Sequence, residues 1–334
     1  MPVKVGDTAI GALAVGDTLI GAAYVGDVQV FTSFVPERYV YSVGVDQEVH
    51  KISPDGTVEW TYTEHSNTTQ GVAVNEDGYV WTGAEDHEVH RITPSGQQEW
   101  VFTAGHAVIA VAVDQDDFSY AAGYTVAASR FYRISPTGNE EWEYRDVDGG
   151  GFSVAVGPNG DSYFGTDLAE VHRITSTESR LWTYTGLNDT VFGVDVDVNG
   201  DLFATAGDPA EVVRVDDQGN EVWKVTPHGS NGARRVAVSP DWVFSCARDN
   251  TVRRLSKSDG SEDTGGSWPY AGHSSDVQHV AIDPEGNVYS CASDDEVHKI
   301  TPTGDQEWVY TGHSGIPIRV AVDPGRYAVS SHLW

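Results

Sequence analysis

Five histidines in this chain stand at a fixed offset from a tryptophan. His65, His106, His228, His273 and His313 each follow a Trp by five or six residues. His50, His90, His172 and His298 recur in a second setting, Val-His-Lys/Arg-Ile. Imidazole is the commonest zinc ligand and the usual general base near neutral pH, so such a set raises the question of a metal or a catalytic centre. The regular spacing argues against both. Identical positions in successive copies of one unit radiate from a common axis and do not converge on a single ion.

One stretch has calcium-loop spacing: Asp195, Asp197, Asn199 and Asp201, with Gly200 among them. An EF-hand loop would continue to an acidic twelfth ligand, where this chain has Ala206. The same stretch coincides with an ordinary turn written NEDG or DPEG elsewhere, so calcium is a minor expectation here. Asp195 is nevertheless unusual, because it takes a slot that is Ala in six related segments. The two cysteines, Cys246 and Cys291, fall in the same slot of successive repeats (VFSCARD and VYSCASD). Such positions should lie beyond the ~7 Å Cα limit for a disulfide, so both are expected as buried free thiols. No nucleophile with a base, no zinc triad and no cofactor loop occurs at diagnostic spacing. The chain is therefore expected to be no enzyme, with neither catalytic residues nor a cofactor.

The elements that hold these residues come from a repeat. VHKISPDGTVEW returns as VHRITPSGQQEW, FYRISPTGNEEW, VHRITSTESRLW, VVRVDDQGNEVW, a stretched copy ending at Trp268, and VHKITPTGDQEW. The closing tryptophans are Trp60, Trp100, Trp142, Trp182, Trp223, Trp268 and Trp308, separated by 40, 42, 40, 41, 45 and 40 residues. Within residues 279–310, HVAI, VYSCA, VHKI and QEWVY are four short strands divided by DPEGN, SDDE and TPTGD turns. Four strands in about forty residues make one β-propeller blade. The first strand reads Val-Ala-Val, as at 72–74 and 111–113, so small residues line the axis while Trp fills the splayed rim. The N-terminal unit lacks that first strand, and residues 318–322 at the far end can supply it, which would remove an open edge. The fold class is all-β: a seven-bladed propeller over residues 39–334, closed by its C-terminal strand. Residues 327–334 have no evident place.

The third and fourth strands, with Gly four residues before Trp (Gly56, Gly138, Gly304), resemble the blades of PQQ-type propellers. Gly-His before the first strand (His106, His273, His313) and Asp in the second turn (Asp46, Asp294) are similar to WD40 repeats. The WD40 resemblance implies that each His bonds locally to a Ser or Asp of its own blade. A PQQ enzyme is implied less well, because such propellers usually have eight blades and a polar cofactor-binding set that is not found here.

Lys and Arg total 20 against 50 Asp and Glu, a formal charge of −30. That charge disfavours nucleic acid as a partner. Acid is spread over every blade and only five cations are Lys, a pattern suited to staying hydrated in molar salt, where self-repulsion is screened within a few ångströms. No run approaches eighteen apolar residues, so no membrane insertion is expected. The N-terminus lacks the basic and apolar regions of an export signal.

Residues 1–31 carry a second repeat: KVGDTAIGAL, AVGDTLIGAA, YVGDVQVF. Val5, Val15 and Val25 recur at ten residues, each before Gly-Asp, with Ile10, Ile20 and Val30 behind. Three small strand–turn units cannot bury enough surface to stand alone, so they are expected to pair with copies of themselves or with a partner's sheet edge, the alternative being that they pack against their own propeller. Residues 32–38 would then be a linker. This segment resembles the decapeptide repeats that open many structural and receptor-binding proteins of tailed viruses. The resemblance implies a virion component of a virus infecting a halophile: on the tail, baseplate or capsid, assembled in the host cytoplasm and acting outside the cell. Its partners would be other virion proteins and copies of itself through residues 1–31, and a host receptor or glycan at the propeller. The alternatives are a haloarchaeal cellular scaffold and, behind that, a PQQ-like enzyme. The most distinctive loops are residues 146–151 and residues 256–267. The latter, with Ser256, Asp259, Glu262 and Asp263, is the longest insertion and a candidate contact surface.

Overall fold

The structure, a computed structural model, describes residues 38–124, 130–145 and 147–324, together with the backbone of six short N-terminal strands. Ile10, residues 32–37 of the expected linker, Asp146 and residues 327–334 lie outside the described residues.

Seven four-stranded antiparallel sheets form the ring. Blade 1 takes Pro317–Val322 as its inner strand, followed outward by Val40–Gly44, Val49–Ile52 and Val58–Tyr62. Blades 2 to 5 run in simple succession, their inner strands being Thr69–Val74, Ala107–Val113, Gly151–Val156 and Val191–Val196. Blade 6 is Ala233–Val238, Trp242–Ala247, Val252–Ser256 and a two-residue outer strand, Glu262–Asp263. Blade 7 is Val277–Ile282, Val288–Ala292, Val297–Ile300 and Gln306–Tyr310. Closure comes from the far end of the chain, with Val320 opposite Ser42 and Val322 opposite Val40. Six N-terminal strands pair two by two: Lys4–Val5 with Thr8–Ala9, Leu13–Val15 with Thr18–Ile20, and Ala22–Val25 with Val28–Phe31.

Each blade couples a small axial residue to a large buried ring on its second strand. Ala321 faces Tyr41, Ala73 faces Trp81, Ala112 faces Tyr120, and Ala155 faces Tyr163. Ala237 faces Phe244 and Ala281 faces Tyr289, whereas in blade 5 Asp195 stands opposite Phe203. These rings are almost wholly buried, and in six of the blades they meet the outer-strand Trp, as Tyr41 meets Trp60 with centroids 5.9 Å apart. Narrow side chains at the axis and bulky ones outward are what a fan of wedge-shaped sheets requires to pack without voids.

The tryptophans also join neighbours. Trp60 Nε1 donates to the Pro94 carbonyl of blade 2 at 3.0 Å, Trp100 to Pro136 at 3.0 Å, and Trp142 to Ser176 at 3.1 Å. Trp182 donates to Asp217, Trp223 to Lys257 and Trp268 to Pro302, and Trp308 closes the circle on Pro54 at 2.9 Å. At most of these seams a cation from the third strand shares the same carbonyl, among them Lys51, Arg91, Arg173, Arg214 and Arg254. Glycine suits the receiving turn: a Cβ on Gly96, whose φ is +82°, would stand 3.0 Å from the Trp60 ring, although the turn that receives Trp142 places Glu178 at that position with φ +67°.

Candidate functional site

The recurrent histidines sit in ordered networks between blades. His65 Nδ1 lies 2.8 Å from Asp86 and its Nε2 2.9 Å from Thr82 Oγ1. His228 holds Asp249 and Ser245, His273 holds Asp294 and Ser290, and His313 holds Asp46 and Ser42. In three places a second histidine stacks on the first, with centroids 4.1 Å apart for His50–His313, 3.9 Å for His65–His90 and 3.7 Å for His273–His298. The stacked partner bonds a Tyr hydroxyl and a Glu, as His90 does with Tyr62 at 2.6 Å and Glu88 at 2.9 Å. Among the described residues His106 has no Asp or Ser partner, and it stacks on Tyr132.

Three of these clusters bring metal-type ligand atoms within 4.8 Å of one another: Asp46 with His50 and His313, His65 with Asp86 and His90, and His273 with Glu296 and His298. Nearly parallel rings point their lone pairs side by side, however, and not at a shared point. Every ring nitrogen in the three stacked pairs already has a protein partner. The networks act electrostatically on their members. Burial, followed by the charge of the stacked neighbour, lowers the pKa of His50, His90 and His298. Although burial opposes it, bonding to His228 holds Asp249 down at about 2, and His273 does the same for Asp294.

The calcium-type spacing resolves into separate contacts. Asp197 accepts the Asn199 and Asp201 amides at 2.8 and 3.0 Å and pairs with Lys257 at 2.8 Å. Asp201 pairs with Arg214 at 2.6 Å. Asp195 turns away to accept the Val196 and Val238 amides at 2.9 and 2.8 Å, and burial raises its pKa to about 6. Cys246 and Cys291 are free and buried, and burial pushes the Cys246 thiol up to about 12.

The insertion around residues 256–267 interrupts the outer strand of blade 6 before Trp268. Ser256 Oγ meets Ser258, Asp259 accepts from Ser261, Glu262 pairs with Arg253 at 2.7 Å, and Asp263 pairs with Arg254. Its far side is fastened to blade 7, where the Ser267 amide donates to Thr303 at 2.9 Å and the hydroxyl to Asp305 at 2.6 Å. In the loop at 146–151, the described Gly150 amide donates to Asp167 at 2.6 Å. Of the docking residues, Val5 pairs with Thr8, Val15 with Thr18, Ile20 with Leu13, Val25 with Val28, and Val30 with Ala23.

A feature that sequence reasoning missed lies on the axis. The inner strands of all seven blades line a cavity of about 650 Å³. Its lining includes the ring of Ala73, Ala112, Ala155, Ala237, Ala281 and Ala321, with Asp195 as the seventh member. One residue before each Val-Ala-Val, consecutive blades 6, 7 and 1 place Arg235, His279 and Arg319, where the others have Gly71, Ala110, Ser153 and Gly193. Arg319 crosses the axis: its Nη2 donates to the carbonyls of Ile109 and Phe152 at 2.9 and 3.2 Å. Three basic side chains interrupting an otherwise small-residue slot were the available signal.

Fold and repeat together define a seven-bladed β-propeller of PQQ-like repeats. Residues 167–282, from the end of the second strand of blade 4 to the inner strand of blade 7, match the PQQ_2 family model, described as outer membrane protein assembly factor BamB. None of the curated proteins matches the chain.

Proposed function

We propose that the protein is a non-enzymatic display scaffold: a rigid disc carried on an N-terminal docking segment and built into a virus particle of a high-salt environment. Residues 1–31 bind neighbouring particle proteins or further copies of the chain, residues 32–38 connect, and residues 39–334 form the disc that faces a host-surface receptor or glycan. One observation carries the reading. The ring is sealed by its last described strand, whereas the six described N-terminal strands pair two by two. A lone two-stranded hairpin is marginal in water and gains stability by joining a larger sheet or another surface.

The test is deletion of residues 1–31. The shortened chain remains a folded monomer by light scattering in molar salt, while the full chain associates and is recovered in purified particles by mass spectrometry. Normal particle incorporation of the shortened chain defeats the proposal. The match to a family described as an assembly factor favours a second reading, a cellular propeller that scaffolds other proteins. Absence of the chain from particles, with retention in cell complexes, supports that one.

A further inference from the structure

Arg235, His279 and Arg319 occupy one register level on three successive inner strands, opposite Cys246, Cys291 and Val43 on the strands behind. All three line the axial cavity, and Arg319 is only 7% exposed. Each stands close enough to another of the three to be affected by its charge: Arg319 feels Arg235, and His279 feels both arginines. Burial, then this mutual repulsion, lowers the basicity of His279 and Arg319; burial, then Arg234, lowers Arg235 to about 10.

Among the described residues, no carboxylate pairs with any of the three. Such an arrangement is unexpected in a chain with 50 acidic and 20 basic residues. The nearest acid along these strands is Asp195, two residues past Gly193 and so about 7 Å further along the axis. Both of its oxygens are taken by amides. Meanwhile Nε of Arg235, Nε of Arg319 and Nδ1 of His279 are buried without a hydrogen-bond partner. Buried donors and cations left unmatched are costly, and a buried like-charge cluster is costlier still. Of the four remaining positions of the level, Ser153 lines the same cavity as the three basic side chains, whereas Gly71 and Gly193 admit close approach of the neighbouring inner strands.

We infer that the Arg235–His279–Arg319 level is a binding site for a small oxyanion of the phosphate or sulfate type. Guanidinium Nε–H and Nη–H groups form the fork that matches two oxygens of such an anion, and the imidazole Nδ1 supplies a third contact. The anion would neutralise the cluster and join blades 6, 7 and 1, the blades beside the closing seam. The inference is independent of the display reading.

Equilibrium dialysis of the full chain with radiolabelled inorganic phosphate, at fixed high ionic strength in chloride, tests it. The expected result is saturable binding of one phosphate per chain, weakened at least tenfold in Arg235→Gln and unaltered in Arg180→Gln, an exposed outer-strand change. Unlabelled sulfate should compete and extra chloride should not. Should Arg235→Gln fail to fold, His279→Gln decides through a several-fold weakening. No saturable binding to the native chain, or equal binding by a folded Arg235→Gln or His279→Gln variant, overturns the inference.

Discussion

Arg319 Nη2 lies 2.9 Å from the carbonyl oxygen of Ile109, so one side chain of blade 1 reaches the inner strand of blade 3. A second bond from the same nitrogen reaches Phe152 on blade 4 at 3.2 Å. Most contacts in this ring join neighbours, and this one spans the axis. It combines a strut with a buried charge, and the two have opposite effects on stability.

Arg319→Met separates those effects. The two carbonyl bonds disappear, each of the kind that contributes about 1.5–3 kcal/mol when one partner is charged. Removal of a buried cation that repels Arg235 offsets this loss, since apolar replacement of buried ions is often neutral or stabilising by about 1–4 kcal/mol. The expected outcome in phosphate-free buffer is a thermal midpoint unchanged within a few degrees or raised, read by differential scanning calorimetry. A drop of more than about 2 kcal/mol would make Arg319 a strut first and a ligand-binding group second.

The tryptophan seams are not equivalent. Pro136 O accepts from both Trp100 and Arg91, whereas among the described bonds Pro54 O at the closing seam accepts from Trp308 alone. Trp308→Phe leaves that carbonyl without its donor and loosens packing on Gly56. The expected cost is about 1–3 kcal/mol, from an unsatisfied partly buried acceptor plus lost ring contact. Trp100→Phe should cost less, because Arg91 remains. Guanidinium unfolding of the two variants side by side checks the order, and an equal or reversed order refutes the seam argument.

How much of this could be read from residues alone follows from what repeats. Forty-residue spacing, Val-Ala-Val at the axis and the missing first strand of blade 1 fixed the blade number and the closure by Val320, because each is a pattern in one dimension. The Trp308–Pro54 bond was out of reach, since a carbonyl carries no sequence signature. The loop with Asp259 and Glu262 stood out as a candidate contact surface because an insertion is visible in sequence, whereas its fastening through Ser267 to Thr303 and Asp305 depends on the adjacent blade. Arg235, His279 and Arg319 went unnoticed for a similar reason. Each is an unremarkable residue within its own repeat, and only closure of the ring brings the first and last blades together.

The stacked histidines make stability depend on pH with a definite sign. His50, His90 and His298 have folded pKa values below the unfolded 6.5. On acidification the unfolded chain therefore binds protons first, so the histidines' contribution to stability is full above pH 6.5 and declines as pH falls below it. A second decline follows below about pH 4 as Asp249 and Asp294, held at about 2, become protonated. Asp195 acts oppositely: raised to about 6, it adds stability below its unfolded value of 3.8 and loses it as pH climbs through 6. Thermal midpoints from pH 8 to pH 4.5 at constant salt should fall with acid, less steeply in His90→Gln. An unchanged slope in that variant would remove His90 from the account.

Salt should stabilise this molecule, and the charge inventory explains why. The third-strand cations Arg91, Arg173, Arg214 and Arg254 are already committed to Asp117, Asp161, Asp201 and Asp263. Few cations remain to balance the excess acid behind the net charge of −30. Between 0.1 and 1 M salt the Debye length falls from about 10 Å to about 3 Å, so repulsion between acids on separate blades is screened away. The compact state gains more than the unfolded chain, whose charges are farther apart. The midpoint of thermal unfolding should therefore climb steeply from 0.1 to 1 M potassium chloride and flatten above it, with sodium chloride giving the same curve. A midpoint indifferent to salt, or one that falls, would mean that acidic self-repulsion does not govern stability and would remove the main argument for a high-salt setting.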